Sequence, residues 1–282
     1  MIMAEFTRVS SLLTIEGVSK RIHGKLILRD IGTKESPFVI HDINRPNRIQ
    51  GQTVAVVGAS GSGKSTLFKL IAGIYPPTTG TIIIPDEEKN NGSFKEVEGG
   101  DIGFVQQSYP LSRNQTVQEM LHDAAKQGNV PKSERQRVVD SYLETWNLKD
   151  QRYLSKNQLS GGQKQRVAII EQIICSHHFM IFDEPFSGLD VRNIDDVKNT
   201  FEKITTTSDL GTIIFSTHDI HLAVELADLV YVIGFEKEKG VCKPGGTVIK
   251  SFDLMEMGLA WKEYGAPHRE LNAEIQKLIK DS

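Results

Sequence analysis

Cysteine is almost absent from this sequence: Cys175 and Cys242 are the only two among 282 residues, and they lie far apart. That number and spacing exclude a disulfide framework and a cysteine metal cluster, so both are expected as reduced thiols, as in a cytosolic protein. Long apolar runs are missing as well. Stretches such as 53–57 and 212–215 fall far short of the roughly 18 residues that a membrane-spanning helix needs. Residues 1–10 carry Glu5 and Arg8 and no extended apolar segment, which argues against a signal peptide. If the protein acts at a membrane, another chain must cross it. Nor is there an excess of basic charge. The formal net charge is −3, which gives no support for a nucleic-acid partner. What remains is an ordinary globular composition, 39% hydrophobic and 24% charged, able to bury a core in one large domain or two small ones.

The pattern along the chain alternates strands and helices. Residues 12–18 read as a strand, and 53–57 as a strand buried on both faces because the apolar run is continuous. A helix is expected over 65–74, stopped by Tyr75-Pro76-Pro77. Strands are expected at 81–84 and 101–105, separated by a solvated polar turn over 86–100. Amphipathic helices follow over 116–126 and 133–146, and a third starts near Ser160. Strands at 179–182, 212–216 and 229–233 then alternate with helices at 191–205 and 220–227. Such alternation implies an α/β fold with a mainly parallel sheet covered on both faces, and the helical stretch 116–158 reads as an insertion into it.

Three constellations carry chemistry. The first is GASGSGKST, comprising Gly58, Ala59, Ser60, Gly61, Ser62, Gly63, Lys64, Ser65 and Thr66, which fits G-x-x-x-x-G-K-[ST]. Glycines let backbone N–H groups converge on phosphate oxygens, and the helix that follows presents its positive end to them. Lys64 can reach the β- and γ-phosphates and the Ser65 hydroxyl can ligate Mg²⁺. Taken alone this loop binds phosphate and would suit a kinase, a GTPase or a helicase.

The second constellation, LSGGQKQR at 159–166, is followed by FMIFDEP at 179–185. Here the chain resembles the ATP-binding cassette (ABC) ATPase family, whose signature is LSGGQ. A Ser-Gly-Gly turn opening a helix is a second phosphate-binding shape. The resemblance implies that Ser160, Gly161, Gly162 and Gln163 reach across a dimer interface to ATP held by a second ABC ATPase chain. The third constellation is Asp183-Glu184 at the carboxyl end of a strand, where ligands of open parallel sheets sit. Asp183 is expected to hold Mg²⁺, through water. Glu184 looks like the family's catalytic glutamate, acting on the water that attacks the γ-phosphate.

Three further positions match that family. Gln107, favoured over Gln106 in GFVQQSYPL, corresponds to a glutamine that contacts Mg²⁺ and links to the helical subdomain. Residues 187–190, SGLD, resemble the loop that crosses the dimer interface. His218 in FSTHD matches the switch histidine that bonds the γ-phosphate, whereas His177 and His178 read as an ordinary loop. The resemblance implies a P-loop NTPase fold with a parallel core, an antiparallel β subdomain and an inserted helical subdomain. It covers residues 12–234, with the helical subdomain at about 112–165 and a short extension at 235–282. That extension ends in an amphipathic segment and is too small for the regulatory barrel some relatives append.

The implied role is ATP hydrolysis in the energising subunit of a transporter. Membrane-spanning subunits would dock beside Gln107, and the chain would sit in the cytoplasm, peripheral at the inner face of the membrane. A soluble ABC ATPase of translation or DNA repair is the rival, although neither two cassettes nor a long coiled coil is present. A non-ABC P-loop enzyme such as a kinase leaves LSGGQ and His218 unexplained. The sequence departs from the family in two places. About a dozen extra residues lie between Lys25 and Gly51, and both 27–31 and 39–43 resemble the same family strand.

The second departure generates a test. Many relatives stack adenine on an aromatic residue shortly after the first strand, yet the matching region reads Arg21-Ile22-His23-Gly24. An aromatic contact contributes about 0.5–1.5 kcal/mol, so the missing preference for ATP over GTP should be about tenfold or less. A nucleotide competition assay measures it directly. Strong ATP preference would mean that another residue supplies the stack.

Overall fold

A computed structural model describes residues 6–45, 51–86, 89, 92–106, 110–175, 179–187, 191–207 and 211–282. The elements run β1 (Thr7–Ile22), β2 (Lys25–Ile31), β3 (Phe38–Asn44), β4 (Thr53–Val57), α1 (Lys64–Ile71), β5 (Thr79–Pro85), β6 (Phe94–Glu96) and β7 (Gly103–Val105). The helical insertion holds α2 (Val117–Gln127), α3 (Arg135–Thr145) and α4 (Gly161–Cys175). The chain returns through β8 (Phe179–Phe182), α5 (Val191–Thr207), β9 (Thr212–Thr217), α6 (Ile220–Leu226) and β10 (Leu229–Gly234). A small hairpin of β11 (Lys237–Glu238) and β12 (Val241–Cys242) leads to β13 (Thr247–Asp253) and α7 (Ala266–Asp281).

The central sheet has the order β13-β10-β4-β9-β8-β7, parallel from β10 to β7 with β13 antiparallel on the edge. Strand β4 explains why this sheet is apolar throughout. All five of its residues are buried. Val54 and Val56 join a core with Leu67 and Phe68 of α1, while Ala55 and Val57 join a second core with Phe201 of α5 and Ala223 of α6. Successive side chains leave a strand on opposite faces, so a strand covered on both sides carries no polar alternation. The doubly covered parallel sheet expected from the sequence is present.

The second sheet is antiparallel and is organised by the long strand β1. One edge of β1 pairs with β5. The other edge takes two strands in tandem: β3 alongside 7–15 and β2 alongside 18–22. Both candidates for one family strand, 27–31 and 39–43, are therefore strands that share one partner. The β1–β2 turn is His23-Gly24, both with positive φ, as a two-residue hairpin requires. Tyr231 of β10 fastens this sheet to the central one. Its hydroxyl accepts from Val39 N at 3.0 Å and donates to Val39 O at 2.9 Å, and its ring stacks on Phe38 at 3.9 Å.

In the helical insertion, Thr116 caps α2 reciprocally with Glu119, satisfying two otherwise orphaned N–H groups. The Thr116 N–H and hydroxyl hold the Glu119 carboxyl below its usual pKa. Phe104 of β7 donates its N–H to Gln172 Oε1 of α4 at 3.0 Å, tying the insertion to the sheet. Burial pushes the Cys175 thiol up to about 11, so this cysteine is an unreactive thiol. Both cysteines are free.

Three details differ from the sequence reading. Helix α1 stops at Ile71, before the prolines, because Gly73 adopts φ +67° and its N–H returns to Leu70 O at 3.0 Å. Within the expected polar turn, β6 pairs antiparallel with β5, while residues 87, 88, 90 and 91 lie outside the described residues. The segment after 234 is integral to the sheet, since β13 forms its edge and Leu271 and Ile275 of α7 are buried in the core.

Asp228, just before β10, bolts that strand to β4. Its N–H donates to Thr53 O at 2.7 Å and its Oδ2 accepts from Thr53 N at 2.8 Å. Leu254 N donates to its carbonyl at 2.9 Å. Burial pushes its carboxyl up to about 7, against the Thr53 N–H, the Arg45 charge and a bond from Trp261. A folded-state pKa above the unfolded value of about 3.9 means that the native state holds the proton more tightly. The associated stability is full below about pH 4 and is lost as pH rises through 7. Asp228→Asn should remove this dependence. Its melting temperature relative to the unsubstituted protein should climb by a few degrees from pH 4.5 to 8, and equal pH slopes would contradict the assignment.

Candidate active site

The site forms where β4, β8 and β9 end. Strand β4 delivers the chain into the glycine-rich loop, and α1 starts at Lys64 with Gly63 at φ +103° as its N-cap. The loop is walled by backbone. A Cβ on Gly58 would lie 2.1 Å from Ile233 O of β10, and a Cβ on Gly246 would lie 1.9 Å from Ser62 O. Gly246 is also bonded into β2, donating to Ile27 O at 2.9 Å and accepting from Arg29 N at 2.8 Å. Ser62 is fully buried, and its Oγ has no hydrogen-bond partner among the described residues.

Lys64 is buried, and its Nζ donates to Gly58 O at 2.8 Å and Ala59 O at 3.2 Å. Burial pushes its pKa down, opposed by the carboxylates of Glu184 and Asp183. Glu184 Oε1 stands 3.9 Å from the ammonium. Beyond Phe182 the chain turns sharply, with Glu184 at φ +53°, a left-handed conformation that an ordinary residue adopts at a penalty of about 1–2 kcal/mol. The turn brings the Glu184 carboxylate toward both Lys64 and His218, whose Nδ1 is 2.9 Å from Glu184 Oε2. Asp183 Oδ1 accepts from Ser65 Oγ at 3.1 Å and from Ser216 Oγ at 2.8 Å.

These residues suit a magnesium ion. A hydroxyl and a carboxylate oxygen side by side, as Ser65 and Asp183 present them, are the hard oxygen donors that Mg²⁺ takes directly or through its waters. Among the described residues no cluster of three or more His, Cys, Asp and Glu side chains could hold a metal. Beside the loop, Ala59, Ser60 and His218 share a cleft of about 640 Å³ with Gln276 and Ile279 of α7.

The structure thus gathers Gly58 to Thr66, Asp183, Glu184 and His218 around one loop. The signature turn has a different set of partners. Ser160 N donates to Gln163 Oε1 at 2.8 Å and Gln163 N donates to Ser160 Oγ at 3.3 Å, a reciprocal cap on α4. Gly161 and Gly162 are exposed, and a Cβ on either would meet nothing within 4 Å. Gln107, His177, His178 and residues 188–190 lie outside the described residues. The sequence reading passed over two contributors. Ser216 reads as part of an apolar strand, and its signal is a hydroxyl that ends an apolar run two positions before His218. Gly246 carried no local signal.

Residues 48–187 match a family model described as ABC transporter. The sulfate/thiosulfate import ATP-binding protein CysA 1 of Agrobacterium fabrum is 36% identical over 187 residues, 65% of this chain and 53% of that protein. The methionine import ATP-binding protein MetN 2 of Bacillus cereus is 36% identical over 193 residues, 68% of this chain and 56% of that one. The chain spans about half the length of the curated relatives it matches. Among solved structures, cbiO1 of Clostridium perfringens gives a TM-score of 0.66 at 24% identity, covering 96% of this chain and 98% of its own. A dimeric ATP-binding cassette in a post-hydrolysis state with ADP and Pi gives 0.61 at 23% identity, covering 86% and 99%. At these identities the two structures establish the fold. Family model, curated relatives and fold agree, and over residues 48–187 the chain carries a domain of the ABC transporter family.

Proposed function

We propose that this chain binds and hydrolyses ATP, with Mg²⁺, as the energising subunit of an ABC transporter. The observation that carries this reading is the convergence of Lys64, Ser65, Asp183, Glu184 and His218 on one phosphate-binding loop. The reaction is ATP + H₂O → ADP + phosphate. The loop's backbone N–H groups and the start of α1 hold the phosphates, and Lys64 sets its charge against the β- and γ-phosphate oxygens. Ser65 and Asp183 would hold Mg²⁺, which when bound neutralises charge on those oxygens. Glu184 accepts a hydrogen bond from the attacking water and draws off its proton, and His218 fixes the carboxylate while reaching for the γ-phosphate. Catalysis of this kind is mostly positioning and charge neutralisation.

The signature turn supports a two-chain site. Gly161 and Gly162 open α4, although glycine within a helix is generally less stable than alanine, by roughly 0.5–1 kcal/mol in its middle. Gly161 and Gly162 have open space where a Cβ would go, so packing within the chain does not call for them. A second copy, placing its 160–163 over the nucleotide on this chain's loop, accounts for their exposure. ATP then favours the closed pair because both chains touch it, and hydrolysis releases that bias. No described helix is long and apolar enough to cross a membrane. In this reading membrane-spanning subunits carry the cargo path, with this chain docked at the cytoplasmic face. The relatives' printed names, import ATP-binding proteins, support the transport role.

Two experiments test this function. Lys64→Ala removes the main counter-charge on the β- and γ-phosphates and should abolish ATPase activity; unchanged turnover in the folded variant removes the loop from the mechanism. Glu184→Gln should keep ATP binding and slow hydrolysis at least a hundredfold, an order of magnitude typical of lost acid–base catalysis. Held ATP should make that variant run as a dimer in size-exclusion chromatography and ADP should leave it a monomer. Adding Ser160→Arg should break the dimer by crowding the signature turn. A Glu184→Gln variant with normal turnover refutes the catalytic assignment.

A further inference from the structure

Ser216 lies on β9, fully buried, next to the end of β8. Its hydroxyl touches both acidic residues of the site. Glu184 N lies 2.9 Å from Ser216 Oγ and Asp183 Oδ1 lies 2.8 Å from it. The direction of both bonds is fixed by chemistry. A backbone N–H can only donate and a carboxylate can only accept, so Ser216 Oγ accepts from Glu184 and spends its single proton on Asp183.

Each bond meets a distinct need. Asp183 Oδ1 is the atom that also meets the Ser65 hydroxyl, so the Ser216 proton sets the rotation of the carboxylate facing Ser65. The Glu184 amide belongs to the left-handed turn at φ +53°, and its bond to Ser216 holds that turn against β9. On the far side, Ser187 N donates to Glu184 O at 3.2 Å. His218 leaves β9 only two residues later and meets Glu184 Oε2. One buried hydroxyl therefore references the carboxylate at the metal position, the strained acidic turn and the exit toward the histidine to a single strand.

We propose that Ser216 is a positioning residue that holds Asp183 in the orientation for Mg²⁺ and Glu184 in its turn. The proposal rests on the ATPase reading above. Outer-shell hydrogen bonds to metal ligands typically change metal affinity by about 10–100-fold. Alanine at this position leaves an N–H and a carboxylate oxygen without their shared partner, whereas threonine keeps the hydroxyl.

The test compares the unsubstituted protein with Ser216→Ala and Ser216→Thr, each checked for folding by thermal melting. Mn²⁺ binding in the presence of ATP is followed by electron paramagnetic resonance, so that the readout does not depend on turnover. Binding of a fluorescent ATP analogue is measured in EDTA. Ser216→Ala should weaken Mn²⁺ binding about tenfold or more and raise the Mg²⁺ needed for half-maximal hydrolysis in parallel. Analogue binding in EDTA should stay within about twofold, and Ser216→Thr should keep Mn²⁺ affinity within about threefold of the unsubstituted protein. The assignment fails if Ser216→Ala keeps full Mn²⁺ affinity, if it loses analogue binding in EDTA to the same degree, or if a folded Ser216→Thr behaves as Ser216→Ala does. Failure of the ATPase reading looks different, because the unsubstituted protein would then bind neither the analogue nor Mn²⁺ with ATP.

Discussion

The phosphate loop is shaped by a shortage of space. Three segments that are remote in sequence come within a methyl group of it: the end of β10 at Ile233 O, the turn before β13 at Gly246, and the Leu28 side chain of β2, 2.5 Å from where a Cβ on Gly63 would stand. Backbone therefore sets the curvature, because two of the three walls, Ile233 O and Gly246, are main chain. Packing this tight transmits small displacements, and an added methyl group in such a place typically destabilises by about 1–3 kcal/mol. The helix that starts at Lys64, the seating of β2 beside the loop, and the route of the tail past Ser62 all follow from that enclosure.

Charge is arranged around the enclosure in a corresponding way. Lys64 is a buried cation, which would be unfavourable without partners. Two loop carbonyls and the carboxylate of Glu184 meet it. The acidic side is held by hydroxyls: Ser65 comes from α1 and Ser216 from β9, and both converge on Asp183. Such a site has its dipoles in place before any ligand arrives, which is the condition under which fixed charges and dipoles act most strongly on a reacting phosphate.

Much of this was legible in the sequence, for identifiable reasons. Strands Thr53–Val57 and Phe179–Phe182 are buried on both faces, so each appears as an unbroken apolar run. The loop is legible because its glycines, Lys64 and Ser65 are contiguous, and α2 because Thr116 and Glu119 form a cap three residues apart. Other features depend on partners that sequence spacing does not reveal. β6 is three residues long with two of them exposed, so it carries no burial pattern. The tandem seating of β2 and β3 depends on the length of β1, and the place of β13 depends on pairing with β10. Ser216 reads only as part of a strand because its importance comes from two atoms in the turn beyond a neighbouring strand.

The enclosure also has an order in time. Residues 58–66 leave the ribosome well before two of their walls, Ile233 and Gly246. A nascent chain that has reached the end of α1 holds the loop's sequence without its final boundaries, which arrive only when β10 pairs with β4 and the Gly246 turn follows. Contacts between such distant positions form slowly, because the intervening chain must be ordered first. The phosphate-binding loop is thus written well before Ile233 and Gly246 and acquires its shape only once those residues have been made.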